Sequence, residues 1–105
     1  MILTSTLNIR TIESVKILLS NIAEKQLKKI PKHIKVKFNA WCDLLKYIGL
    51  IEARKYKGFH DEPLKGERKG QRSVRLSKSY RAIYIEVDKN KFEIIEVLEV
   101  NKHEY

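Results

Sequence analysis

Ile34, Phe38, Trp41, Leu45 and Ile48 follow one another at steps of four, three, four and three, the spacing that draws a continuous apolar stripe down one face of a helix. Pro31 suits the first turn of that helix and Gly49 its end, as a left-handed cap. Leu50 to Tyr56 then supply one further helical turn. Upstream, Val15-Lys16-Ile17-Leu18-Leu19 reads as a short strand, and Ser20 or Asn21 as the N-cap of a helix carrying Ile22, Ala23, Leu27 and Ile30. From Lys57 to Gly70 the pattern breaks: three glycines, one proline and a crowd of charges predict a loop. Beyond it, Arg72 to Leu76, Tyr80 to Val87 and Phe92 to Val100 are rich in β-branched and aromatic residues and are parted by short polar turns. They predict a three-stranded antiparallel meander. Residues 1–13 show only a faint alternation and read either as an extra edge strand or as a loose extension, ahead of one domain over residues 14–105.

The chain has 105 residues, 43% of them hydrophobic, enough for one modest core and too few for two ordinary domains. Twenty-two Lys and Arg against thirteen Asp and Glu leave a formal charge of +9. Such a surplus draws polyanions over nanometre distances at low salt, so RNA, DNA or an acidic protein is the natural partner. A merely lysine-rich surface accounts for the same charge. Cys42 is the only cysteine, which excludes an internal disulfide and fits a packed, reduced thiol. No apolar run approaches the roughly 18 residues of a membrane span, and no signal-peptide pattern opens the chain. A cytoplasmic location, with no membrane association, is the resulting expectation.

The chemistry-bearing residues lie in the second half. Cleaving RNA without a metal needs a carboxylate to take the ribose 2′-proton, cations to hold the phosphate as charge builds, and an acid for the departing 5′-oxygen. Glu62 precedes Pro63, which restricts its backbone to extended geometry. Lys65, Arg68, Lys69 and Arg72 follow as candidate phosphate contacts, with Lys102 near the end of the chain. If Ser77 to Ser79 form a tight turn, Arg75 stands opposite Arg81 and both guanidinium groups leave the sheet on one face. Opposed like charges are unfavourable. Either a phosphate offsets the repulsion through bidentate contacts, or the arginines splay into water or pair with Glu86 or Glu99. Pairing across the Asp88 to Lys91 turn brings the chain end back toward Arg81, where His103 has an imidazole suited to donating a proton near neutrality and Tyr105 a ring that can stack on a base.

His60-Asp61-Glu62 invites a metal reading, but consecutive loop residues seldom point at one ion and no second His or Cys cluster accompanies them. No metal and no cofactor is expected. Phosphate-binding glycine loops, serine nucleophile motifs and dinucleotide fingerprints are all missing from the sequence. Phe38 and Trp41, on the helical stripe, are assigned to the core.

Glu62-Pro63-Leu64-Lys65-Gly66 with the basic run through Gly70, Ser73-Val74-Arg75-Leu76, Tyr80-Arg81-Ala82-Ile83-Tyr84 and the terminal His and Tyr together resemble the RelE/ParE superfamily of bacterial type II toxins, most nearly its YoeB and HigB branches. The likeness spans about Val15 to Tyr105. It implies an α+β fold of order β-α-α-β-β-β, a mainly antiparallel sheet packed against two N-terminal helices. It also implies ribosome-dependent cleavage of messenger RNA, docking on ribosomal RNA, and neutralisation by a cognate antitoxin. Carried over by position, Glu62 is the general base, Arg81 the arginine opening the third strand, His103 the general acid, Lys65 and Arg75 supporting cations, and Tyr105 the terminal tyrosine. This chain departs from the YoeB-like ending, because Glu104 separates His103 from Tyr105, and from HigB-like toxins, which carry His where Glu62 stands. The same fold serves ParE-like proteins that poison DNA gyrase without acid-base residues. A noncatalytic RNA- or antitoxin-binding domain is the third alternative.

Overall fold

A computed structural model describes residues 15–88 and 93–102. Val15–Leu19 forms strand β1; helix α1 follows at Asn21–Lys29, α2 at Lys32–Ile48 and the single turn α3 at Leu50–Ala53. Ser20 starts α1, its hydroxyl accepting from the Ala23 amide at 3.0 Å and donating to the Leu98 carbonyl at 2.7 Å, so one side chain both caps the helix and ties it to the sheet. Pro31 stands just ahead of α2 at φ −58°. Gly49 ends α2 at φ 87°, a conformation open to glycine at little cost, and its N–H donates to the Leu45 carbonyl at 2.8 Å. The further helical turn after Gly49 closes at Ala53, short of the expected Tyr56.

The apolar stripe does what its period predicts. Trp41 is 1% exposed, Ile34, Phe38 and Leu45 are buried with it, and the Trp41 ring leans on Tyr84 of the sheet with centroids 5.3 Å apart. Strands β3 (Arg72–Arg75), β4 (Tyr80–Asp88) and β5 (Glu93–Lys102) form the expected meander. Among the described residues the sheet has five strands, in the order β1-β5-β4-β3-β2, where β2 is the short segment Glu62–Pro63. β1 pairs parallel with β5, and the remaining pairings are antiparallel. The helices cover one face of this α+β sheet, and the core lies between, on Val74, Ala82, Tyr84, Ile95, Val97 and Val100.

The expected loop from Lys57 to Gly70 departs from the sequence reading at one point. Glu62–Pro63 forms a two-residue strand, β2, on the outer edge of β3, with Glu62 opposite Ser73 and Pro63 opposite Arg72. Two residues are too few to show a hydrophobic period, and proline is tolerated on an edge strand because it has no ladder donor to lose. Residues 1–13 lie outside the described residues. Among the described residues no helix is long and apolar enough to cross a membrane.

Candidate active site

Strand alternation sorts the second half of the chain into two faces, because residues directly opposite in register share a side of the sheet. One row runs Glu62, Ser73, Ile83, Glu99; the next runs Arg75, Arg81, Asn101. These rows lie on the face away from the helices. At the end of the sheet, His60, Glu62, Ser73, Arg75, Ser77, Lys78, Tyr80 and Arg81 line a cleft of about 70 Å³. The Leu76 to Tyr80 turn that closes one wall is set by Ser77, whose hydroxyl accepts from the Ser79 and Tyr80 amides, both at 3.1 Å.

Arg75 and Arg81 stand directly opposite each other, as the turn geometry predicts. The acids that the sequence offered them are taken elsewhere. Glu86 binds Arg54 at 2.7 Å, and Glu99 binds Arg68 at 2.7 Å. Among the described residues no carboxylate forms an ion pair with Arg75 or Arg81, and the Arg81 Nε is buried without a hydrogen-bond partner. A buried donor left unmade is costly, and two opposed guanidinium groups add their mutual repulsion. An anion with several acceptor oxygens relieves both penalties.

The remaining cations divide. Arg72, expected as a phosphate contact, is turned the other way. It sits an odd number of positions from Arg75, so alternation puts it on the helix-facing side, where its Nε donates to Asp61 at 2.6 Å. Asp61, with a side chain only 2% exposed, also accepts from the Tyr84 hydroxyl at 2.6 Å, and Tyr84 in turn accepts from Arg54 Nε at 3.3 Å. Burial, reinforced by the Asp61 bond, pushes the Tyr84 phenol well above its ordinary range. Burial works against the Arg54 cation, but bonds to Tyr84 and Glu86 more than compensate and raise its pKa. Arg68 spends its guanidinium on Gln71 and Glu99. Lys65 and Lys69 are exposed beside the 3₁₀ turn Gly66–Arg68 and are not among the cleft-lining residues. Lys102 is exposed opposite Tyr80, at the cleft end of β5. His103 and Tyr105 lie outside the described residues.

His60 is a cleft residue that sequence reasoning did not place there. Its ring lines the cleft, with Nε2 3.5 Å from Glu62 Oε1. No strand alternation could have placed His60 there, because its backbone is left-handed and the edge strand begins only at Glu62. Asp61 instead points into the network with Arg72 and Tyr84, so the three consecutive side chains do not converge. Cys42 is partly buried on α2, where desolvation pushes its thiol up to about 12.

Residues 17–104 match the family model of the ParE toxin of type II toxin–antitoxin systems, parDE. Among solved structures, the YoeB/ParE toxin from Agrobacterium tumefaciens is similar at 18% identity and a TM-score of 0.67, covering 85% of this chain and 99% of that one. The E. coli DinJ-YafQ toxin-antitoxin complex is similar at 21% identity and a TM-score of 0.66, over 86% of this chain and 93% of the other. The archaeal RelE-RelB complex from Pyrococcus horikoshii OT3 reaches 24% identity and a TM-score of 0.63, over 85% and 94%. At these identities the structural likenesses establish the fold. No curated protein sequence matches significantly.

Proposed function

Since the chain belongs to the ParE toxin family of type II toxin–antitoxin systems, within the RelE/ParE superfamily, we propose that it is a toxin that cleaves messenger RNA on the ribosome. The observation that carries this reading is the cleft in which Glu62 faces two guanidinium groups without carboxylate partners among the described residues. In the proposed reaction the Glu62 carboxylate removes the 2′-proton, and the 2′-oxygen attacks the adjacent phosphorus. Arg75 and Arg81 hold the non-bridging oxygens as negative charge builds on them. The bond from phosphorus to the 5′-oxygen breaks, and His103 supplies that oxygen with a proton. The products are a 2′,3′-cyclic phosphate, or its opened form, and a 5′-hydroxyl. Lys65, Lys69 and Lys102 add exposed positive charge for ribosomal RNA, and Tyr105 stacks on a base.

A cognate antitoxin is the second proposed partner. DinJ–YafQ and RelE–RelB are toxin–antitoxin complexes on this fold, and an acidic segment laid over the cleft would neutralise Arg75 and Arg81 together. The family model favours one rival, gyrase poisoning of the ParE type, in which the cleft residues are bystanders. Mapping transcript 5′ ends after brief induction tests the first reading, with Glu62→Gln and Arg81→Ala alongside. New ends that vanish in both variants support RNA cleavage. Inhibition of DNA supercoiling by the purified protein, with ribosome-bound mRNA intact, would overturn it in favour of gyrase.

A further inference from the structure

His60 occupies a left-handed backbone conformation at φ 46°, ψ 54°, which costs a residue with a Cβ about 1 kcal/mol or more. Two anchors hold it there. Its N–H donates to the Lys57 carbonyl at 3.1 Å, and its neighbour Asp61 is fixed by Arg72 and Tyr84, which stand opposite each other on β3 and β4. With Asp61 pinned toward the helix side, His60 and Glu62 both turn to the cleft. The result is a carboxylate and an imidazole 3.5 Å apart, both about half exposed, at 56% and 53%. That separation is one small movement from a proton-transfer distance, and catalytic hydrogen bonds commonly tighten only when substrate binds.

A carboxylate that has taken a proton must shed it before it can act again. We propose that His60 is the proton-accepting partner of Glu62, a role that rests on the ribonuclease reading above. In the neutral imidazole Nε2 carries no proton, and once Glu62 has taken the 2′-proton its carboxyl donates that proton to Nε2. The carboxylate is regenerated, and the imidazolium gives the proton to water once product leaves. The charged and titratable groups that face this ring across the cleft are Glu62 from β2, Arg75 from β3, Lys78 from the turn, and Tyr80 and Arg81 from β4. His60 stands on the same side of the scissile bond as the base, so it does not replace the acid that serves the 5′-oxygen.

The test is multiple-turnover cleavage of mRNA on programmed ribosomes across roughly pH 5.5 to 8.5, with His60→Asn, His60→Gly and Glu62→Gln beside the wild type. Asn and Gly accept the left-handed backbone, so both variants remove the ring without forcing the loop. Imidazoles titrate roughly two units above carboxylates. The acid limb of kcat should therefore move down in His60→Asn, with a loss of at least roughly tenfold near neutrality. Free imidazole should restore part of the rate in His60→Gly. Superimposable pH profiles for wild type and His60→Asn, with Glu62→Gln inactive, would overturn the role of His60 alone. Full activity in Glu62→Gln, or no cleavage by the wild type, would overturn the ribonuclease reading and this inference with it.

Discussion

Replacing Tyr84 by Phe removes one oxygen from the centre of the molecule and leaves the ring. The Trp41 contact, with centroids 5.3 Å apart, survives, so the loss isolates the hydroxyl. That hydroxyl donates to Asp61 at 2.6 Å and accepts from Arg54 Nε at 3.3 Å. A hydrogen bond to a charged group contributes about 1.5–3 kcal/mol, and Asp61, 2% exposed, has little water to turn to. Arg72 still holds the other Asp61 oxygen, which places the expected cost near 2 kcal/mol. For a domain of this size that lowers Tm by roughly 8–12 °C, read by circular dichroism with a urea titration to confirm an unchanged slope. The pH dependence adds a signature. Because the folded-state phenol pKa is raised above its ordinary value of 10.0, the contribution of the neutral phenol is complete below about pH 10 and drains away as pH rises beyond it. Tyr84→Phe should lose stability less steeply on the alkaline side than the wild type. A Tm change under about 2 °C, or identical alkaline slopes, would refute the account of Asp61 as a pinned carboxylate.

Other outcomes follow from the same geometry. Arg81→Lys keeps the charge but loses the planar fork, so cleavage on ribosomes should fall on the order of 10²-fold while the melting curve stays close to wild type; unchanged rates would remove Arg81 from the reaction. Trp41→Ala should cost about 3–5 kcal/mol in denaturant titrations, since the side chain is 1% exposed between helix and sheet. The Cys42 thiol, raised from 9.0 to about 12 by burial, should alkylate in the folded protein at pH 8 about 10³ times more slowly than after unfolding, as timed by mass spectrometry. The neutral thiol stabilises the fold fully below about pH 9, and that contribution is lost as pH climbs toward 12.

What the sequence disclosed, it disclosed through periods. The four-three spacing from Ile34 to Ile48 located the buried face of α2, and the short turn at Ser77 set Arg75 against Arg81. The same rule, applied to Arg72, would have moved it off the phosphate list, because an odd separation from Arg75 changes the face of the strand. Asp61 and His60 were harder to read. Their orientation depends on Tyr84, twenty-three positions beyond Asp61, and on a strand of two residues that no local pattern announces. The cleft is thus half legible: its cations come from regular strands, and its carboxylate and imidazole from a loop whose shape is decided by a distant hydroxyl.

The last described strand is also an inner one. β5 lies between β1 and β4, so β1 has no seat in the described sheet until residues 93–97 have been made. Every partner that β1 finds in the sheet is more than seventy positions away, and such long-range closure is slow. A chain that stops short of β5 has an open sheet, because β1 loses its partner strand and β4 one of its two.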